Sequence, residues 1–158
     1  MDDNELRAHH PRPATRQVYF EDVVEGAEIP ALRLAVSRVQ MFFFSAATYN
    51  GHRIHYDTTW ARDVEGYPDI LVHGPLQVAL LARALTDWAG GGGRLVRYAV
   101  QNRGTAHPDE ELQFRGVVTA LRPDGDRGLV ELEIRGEKGG VLLMPGTATV
   151  SLPRRGAA

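Results

Sequence analysis

The sequence predicts an α+β domain in which a curved antiparallel sheet wraps one long helix. Three observations predict it. The run Leu76 to Trp88 is apolar almost all round and lies between Gly74-Pro75 and Gly90-Gly91-Gly92-Gly93; a helix of that kind belongs inside a structure. Four segments between residues 95 and 152 carry alternating or β-branched patterning, the sign of strands. Helical signals come early and strand signals late, the order of a segregated α+β layout.

Taken in chain order, residues 1–16 are polar, contain His9-His10-Pro11 and Pro13, and read as a loose arm. The domain is expected over 17–153, with 154–158 as a tail. Phe20 to Glu28 reads as a short strand followed by a turn at Gly26, and Leu32 to Val36 as a second strand. Ser37 and Gln40 make a capping box for a helix. In that helix Val39, Phe42, Phe43, Ala46 and Ala47 have the spacing of a buried face, and Gly51 supplies the left-handed stop. Asp57 caps a short helix through Trp60 and Ala61. After the central helix come strands Leu95 to Arg103, Leu112 to Leu121, Leu129 to Gly136 and Val141 to Leu152. Val130, Leu132 and Ile134 alternate with Glu131, Glu133 and Arg135, as in a sheet with one wet face. Pro123-Asp124-Gly125 and Lys138-Gly139-Gly140 supply the turns.

Composition narrows the function. The 158 residues fit one domain, with 43% hydrophobic and 24% charged residues, as in ordinary globular chains. A net charge of -2 gives no electrostatic footprint for nucleic acid or an anionic bilayer. There is no cysteine, which excludes disulfides, thiolate metal sites and cysteine nucleophiles. No run is long enough for a membrane span, and the acidic start lacks the apolar core of a secretion signal. The expectation is a soluble, cytoplasmic protein.

Chemistry concentrates in Asn50-Gly51-His52-Arg53-Ile54-His55-Tyr56-Asp57 and Leu71-Val72-His73-Gly74-Pro75-Leu76. His55, on a loop between helices, is suited to take or give a proton near neutral pH. Asn50 can orient water or a carbonyl but cannot titrate. Gly74 opens the long helix, so its N–H carries the positive end of the helix dipole and can stabilise an enolate oxygen on a thioester. His73 reads as a packing or hydrogen-bonding neighbour. Arg53 and Arg103 can meet phosphate or carboxylate, or serve as surface ion-pair residues. His52, His55 and Asp57 are too local to read as a metal set, and none is assigned. His9, His10 and His107 read as exposed and uninvolved.

These residues resemble the hydratase motif of MaoC-like proteins and (R)-specific enoyl-CoA hydratases, roughly D-x-N-P-x-H-x-D. Asn50 falls on the family's catalytic aspartate, His52 on its asparagine, Arg53 on its proline and His55 on its catalytic histidine, while Asp57 keeps the trailing aspartate. With Glu65-Gly66-Tyr67-Pro68 and Leu71-Val72-His73-Gly74-Pro75-Leu76, the segment is most similar to the branch of mesaconyl-type (3-methylfumaryl-CoA) hydratases and type 2 hydroxyacyl-thioester dehydratases. The resemblance implies a hot-dog fold and reversible hydration of an enoyl-thioester carried by coenzyme A or acyl carrier protein. It implies no cofactor beyond the coenzyme A of the substrate. His55 and Asn50 are the expected catalytic pair, with Gly74, His73 and Arg53 as oxyanion or substrate contacts; Asn50 removes the family's acidic partner, and a displaced acid such as Asp57 is an open alternative. A homodimer or higher homo-oligomer is implied, or a hot-dog heteromer. Two other readings fit the same residues: a hot-dog thioesterase, and a catalytically weakened subunit of a heteromeric hydratase, which Asn50 in place of aspartate keeps open.

Overall fold

The computed structural model describes residues 16–156. The expected arm, with His9 and His10, lies outside them except for Arg16, as does the end of the expected tail. The elements are β1 (Leu32–Ala35), α1 (Arg38–Ala47), α2 (Thr58–Asp63), α3 (Gly74–Ala89), β2 (Arg94–Val100), β3 (Glu111–Asp124), β4 (Arg127–Lys138) and β5 (Val141–Pro153), with 3-10 turns at Phe20–Asp22 and Arg53–His55. The strands form one antiparallel sheet in the order β1-β3-β4-β5-β2. It curls around α3 in the expected hot-dog layout, with register shifts at Val118/Ala120 and Gly136/Glu137 of the kind that bend strands.

Alternation along β4 builds the core. Leu132 pairs with Val118 on one side and Ala148 on the other, and Val130 pairs with Val150; all five side chains are buried. Leu76, Leu80, Leu81, Ala84 and Leu85 of α3 join the same cluster. A buried leucine contributes roughly 1.5–3 kcal/mol from removal of its apolar surface, so this seam is the main anchor of α3. The exposed edge strand β2 is also tied to it, because Tyr98 donates its hydroxyl hydrogen to the Val78 carbonyl at 2.8 Å.

Four expectations change. Phe20–Asp22 is a 3-10 turn rather than a strand, because Phe20 lays its ring over Gly128 of β4 where any β-carbon would collide. α1 starts as expected, with Ser37 Oγ accepting from Gln40 N–H, but its buried side chains are Met41 and Ser45. Val39, Phe42 and Phe43 are 55%, 58% and 64% exposed, so the helix buries roughly the opposite face from the expected one. Met41 fills the core while Ser45 is drawn inward by a hydrogen bond to buried His73. The left-handed residue after α1 is Tyr49 (φ 55), not Gly51. Finally, β2 ends at Val100; Gln101 and Arg103 bond irregularly to the Pro145 and Leu143 carbonyls.

Candidate active site

The loop after α1 is built from local polar bonds. Asn50 N–H donates to the Ser45 carbonyl at 2.9 Å, and Asn50 Oδ1 accepts from His52 N–H at 3.1 Å. His52 Nδ1 then accepts from Ile54 N–H, which starts the Arg53–His55 turn. Such side-chain-to-backbone bonds are how Asn and His define a turn without regular structure. The turn is stitched to the segment leading into α3, since Leu71 N–H donates to the Ile54 carbonyl at 2.9 Å.

That stitch fixes His55. Its Nδ1 lies 2.8 Å from the Leu71 carbonyl oxygen. A carbonyl can only accept, so Nδ1 carries the hydrogen and Nε2 is left with its lone pair. Burial pushes the His55 pKa down, the Leu71 bond pulls it back up, and nearby His52 lowers it further. The neutral ring is thereby favoured at physiological pH.

His55 stacks on His73, with ring centroids 3.8 Å apart and planes 19° from parallel. His73 is fully buried. Its Nε2 is 2.8 Å from Ser45 Oγ, and Phe44 meets its ring edge-on at 4.9 Å. Burial, reinforced by His55, pushes the His73 pKa down to about 4. Of the two expectations for His73, a packing and hydrogen-bonding neighbour or an oxyanion or substrate contact, its full burial and its bond to Ser45 fit the first.

Gly74 begins α3, where Pro75 occupies the first turn and His73, at the cap position, makes no side-chain cap bond. A β-carbon on Gly74 would come within 2.7 Å of Asn102 Nδ2, so the Asn102 amide rests over the start of the helix. Helix N–H groups at this end lack intrahelical partners and attract oxygen ligands.

Other expected residues are differently engaged. Arg53 pairs with Asp57 at 2.6 Å and lies 4.3 Å over the Trp60 ring, so its guanidinium serves the fold of this loop. Asp57 accepts from Trp60 N–H at 3.0 Å as the cap of α2, while its other oxygen holds Arg53; these bonds keep its carboxyl below the usual range and engage both of its oxygens. Arg103 bonds Gln101 Oε1. His107 is not simply exposed: it is half-buried, with Nδ1 3.0 Å from the Ile70 carbonyl. Ser45 and Asn102 were missed. With the apolar face that the sequence suggests for α1, Ser45 points outward, so no local signal marked it, and nothing local marks Asn102.

Comparison with known proteins supports the fold and the family. Residues 7–103 match the family model described as hydroxyacyl-thioester dehydratase type 2. The chain is similar to mesaconyl-C(4)-CoA hydratase of Chloroflexus aurantiacus, 34% identical over 79% of this chain and 42% of that protein. It spans under half the length of the curated relatives it matches. Among solved structures, the (R)-hydratase from A. caviae involved in PHA biosynthesis superposes with a TM-score of 0.75 at 24% identity, over 84% of this chain and 99% of that one. A chain of the ChsH1-ChsH2 complex from Mycobacterium tuberculosis gives 0.71 at 25% identity, over 82% and 98%.

Proposed function

The chain belongs to the type 2 hydroxyacyl-thioester dehydratase family, and from that premise we propose that it hydrates an enoyl-thioester, or dehydrates the 3-hydroxyacyl-thioester, with His55 as the proton-transfer group. The observation that carries this reading is the His55 Nδ1–Leu71 carbonyl bond, which leaves Nε2 as a free base beside the start of α3. In the hydration direction Nε2 takes a proton from water as the water oxygen bonds to C3. The C2=C3 electron pair moves toward the thioester and forms an enolate. The imidazolium then returns the proton to C2, so one water is consumed and His55 is regenerated. Gly74 N–H polarises the thioester carbonyl, which is the developing enolate oxygen. Asn50 orients water without titrating. No cofactor enters this scheme beyond the coenzyme A or carrier protein that bears the acyl group.

The exposed Val39, Phe42 and Phe43 of α1 form an apolar surface that a second hot-dog copy would cover. A mixed pair is the second reading, favoured by Asn50 in place of an acid and by the likeness to a chain of a two-component complex. One experiment separates them. The purified chain is incubated with short enoyl- and 3-hydroxyacyl-CoAs while enoyl absorbance is followed. Loss of absorbance with enoyl-CoA supports the hydratase; release of free thiol instead would point to a thioesterase; and inactivity alone, relieved by a hot-dog partner, would point to the mixed pair.

A further inference from the structure

Ser45 sits in the interior of α1, a polar residue only 7% exposed. A serine within a helix commonly turns its hydroxyl back onto the carbonyl four residues earlier, as Thr48 does here toward Phe44 at 2.6 Å. Ser45 instead places Oγ 2.8 Å from His73 Nε2. The other nitrogen of that ring, His73 Nδ1, is buried without a partner among the described residues. A neutral imidazole carries one hydrogen. Buried N–H groups without partners are rarer than under-satisfied acceptors, so the hydrogen belongs on Nε2, which donates to Ser45 Oγ. The hydroxyl therefore accepts from His73 and has its own proton to give elsewhere.

The direction open to it is the cleft of about 490 Å³ that Ser45 borders with Phe42, Ala46, Tyr49, Asn50 and Tyr56. Asn50 Oδ1 is already engaged by His52 N–H, so the Asn50 amide NH2 is the group it offers a ligand. The polar end of an otherwise aromatic cleft thus presents two neutral donors. Two donors suit a single oxygen with two lone pairs. On the hydratase reading, we propose that Ser45 is a further substrate-contacting residue, anchored by His73 and donating its hydroxyl hydrogen to the C3 hydroxyl of the product, or to the water that becomes it. The acyl chain lies against Phe42, Tyr49 and Tyr56. In dehydration the C3–O bond breaks toward this oxygen. Ser45 stabilises the charge that gathers there, and the proton completing the departing water comes from His55.

Two measurements test this. In Ser45→Ala, kcat for hydration of crotonyl-CoA is expected to fall about 10- to 100-fold, a smaller loss than for an oxyanion donor, with KM within about threefold; Ser45→Thr, which keeps the hydroxyl, is expected to recover most of it. A lower melting temperature with kcat unchanged per folded enzyme would overturn the proposal, since that is what a purely structural serine gives. Independently of turnover, nitrogen NMR of histidine-labelled wild-type protein is expected to find His73 protonated at Nε2. Protonation at Nδ1 would overturn the proposal even in an active enzyme. Should wild-type protein hydrate no thioester, the hydratase reading fails, while the tautomer still decides the Ser45–His73 arrangement.

Discussion

Replacing His73 with glutamine removes a titrating group from the core while keeping an amide near the imidazole's volume and able to bond Ser45. In the unfolded chain His73 takes up a proton as pH falls through about 6.5. In the fold it stays neutral down to about 4, because burial penalises the charged ring and stacked His55 adds to the penalty. Between these values the unfolded state holds more protons, so the native state loses stability as pH falls. The gap corresponds to on the order of 3 kcal/mol, complete near pH 4. His55, itself shifted downward, adds a loss of the same sign, and the carboxylates lowered by their arginine partners, such as Asp69 beside Arg38, lose their contributions at lower pH. All of these remain in the variant and cancel in the comparison. Urea unfolding of both proteins from pH 7.5 to 4.5 measures the difference. At pH 7.5 the two should agree within about 1–2 kcal/mol, since one hydrogen bond is exchanged for another. By pH 4.5 wild type should have lost roughly 2–3 kcal/mol more than His73→Gln. Parallel pH profiles would refute a buried, neutral His73.

Three further outcomes are expected. Leu81→Ala, at a fully buried position of α3, should cost about 2–5 kcal/mol in urea unfolding through cavity formation. Asp57→Ala removes the α2 cap and the Arg53 partner and should lower the melting temperature by roughly 2–4 °C, with hydration activity retained in the folded fraction because both carboxylate oxygens are engaged in holding the loop. On the proposed mechanism, with neutral His55 as the base, the acid limb of kcat/KM in wild type should titrate below the ordinary histidine value, because burial favours the neutral ring; a limb above that value would contradict it.

The long helix and the late strands were legible because their signals are local and periodic: Gly74-Pro75 does open α3, and alternation along β4 matches its burial. Asp57 was legible as a cap for the same reason. The rotation of α1 was not. Val39, Phe42 and Phe43 are more apolar than Met41, Phe44 and Ser45 taken together, and the contacts that hold the less apolar side inward are distant in sequence: Met41 in the core cluster and the bond from Ser45 to His73, 28 residues away. The turn at Phe20–Asp22 was hidden similarly, since it depends on space above Gly128 more than a hundred residues later. In the site, the motif gave His55, Asn50 and Gly74 as candidates, while the neighbours that set their states could be seen only in three dimensions: the Leu71 carbonyl, the buried face of His73 and the amide of Asn102. No helix among the described residues is long and apolar enough to cross a membrane.

The central claim is that His55 Nε2 moves the proton. Its most direct test is the rate of crotonyl-CoA or mesaconyl-CoA hydration by His55→Ala, measured on protein shown to be folded by its circular dichroism and melting profile. The account predicts loss of nearly all activity, on the order of 10²–10⁴-fold. A folded His55→Ala protein that hydrates at the wild-type rate would contradict it.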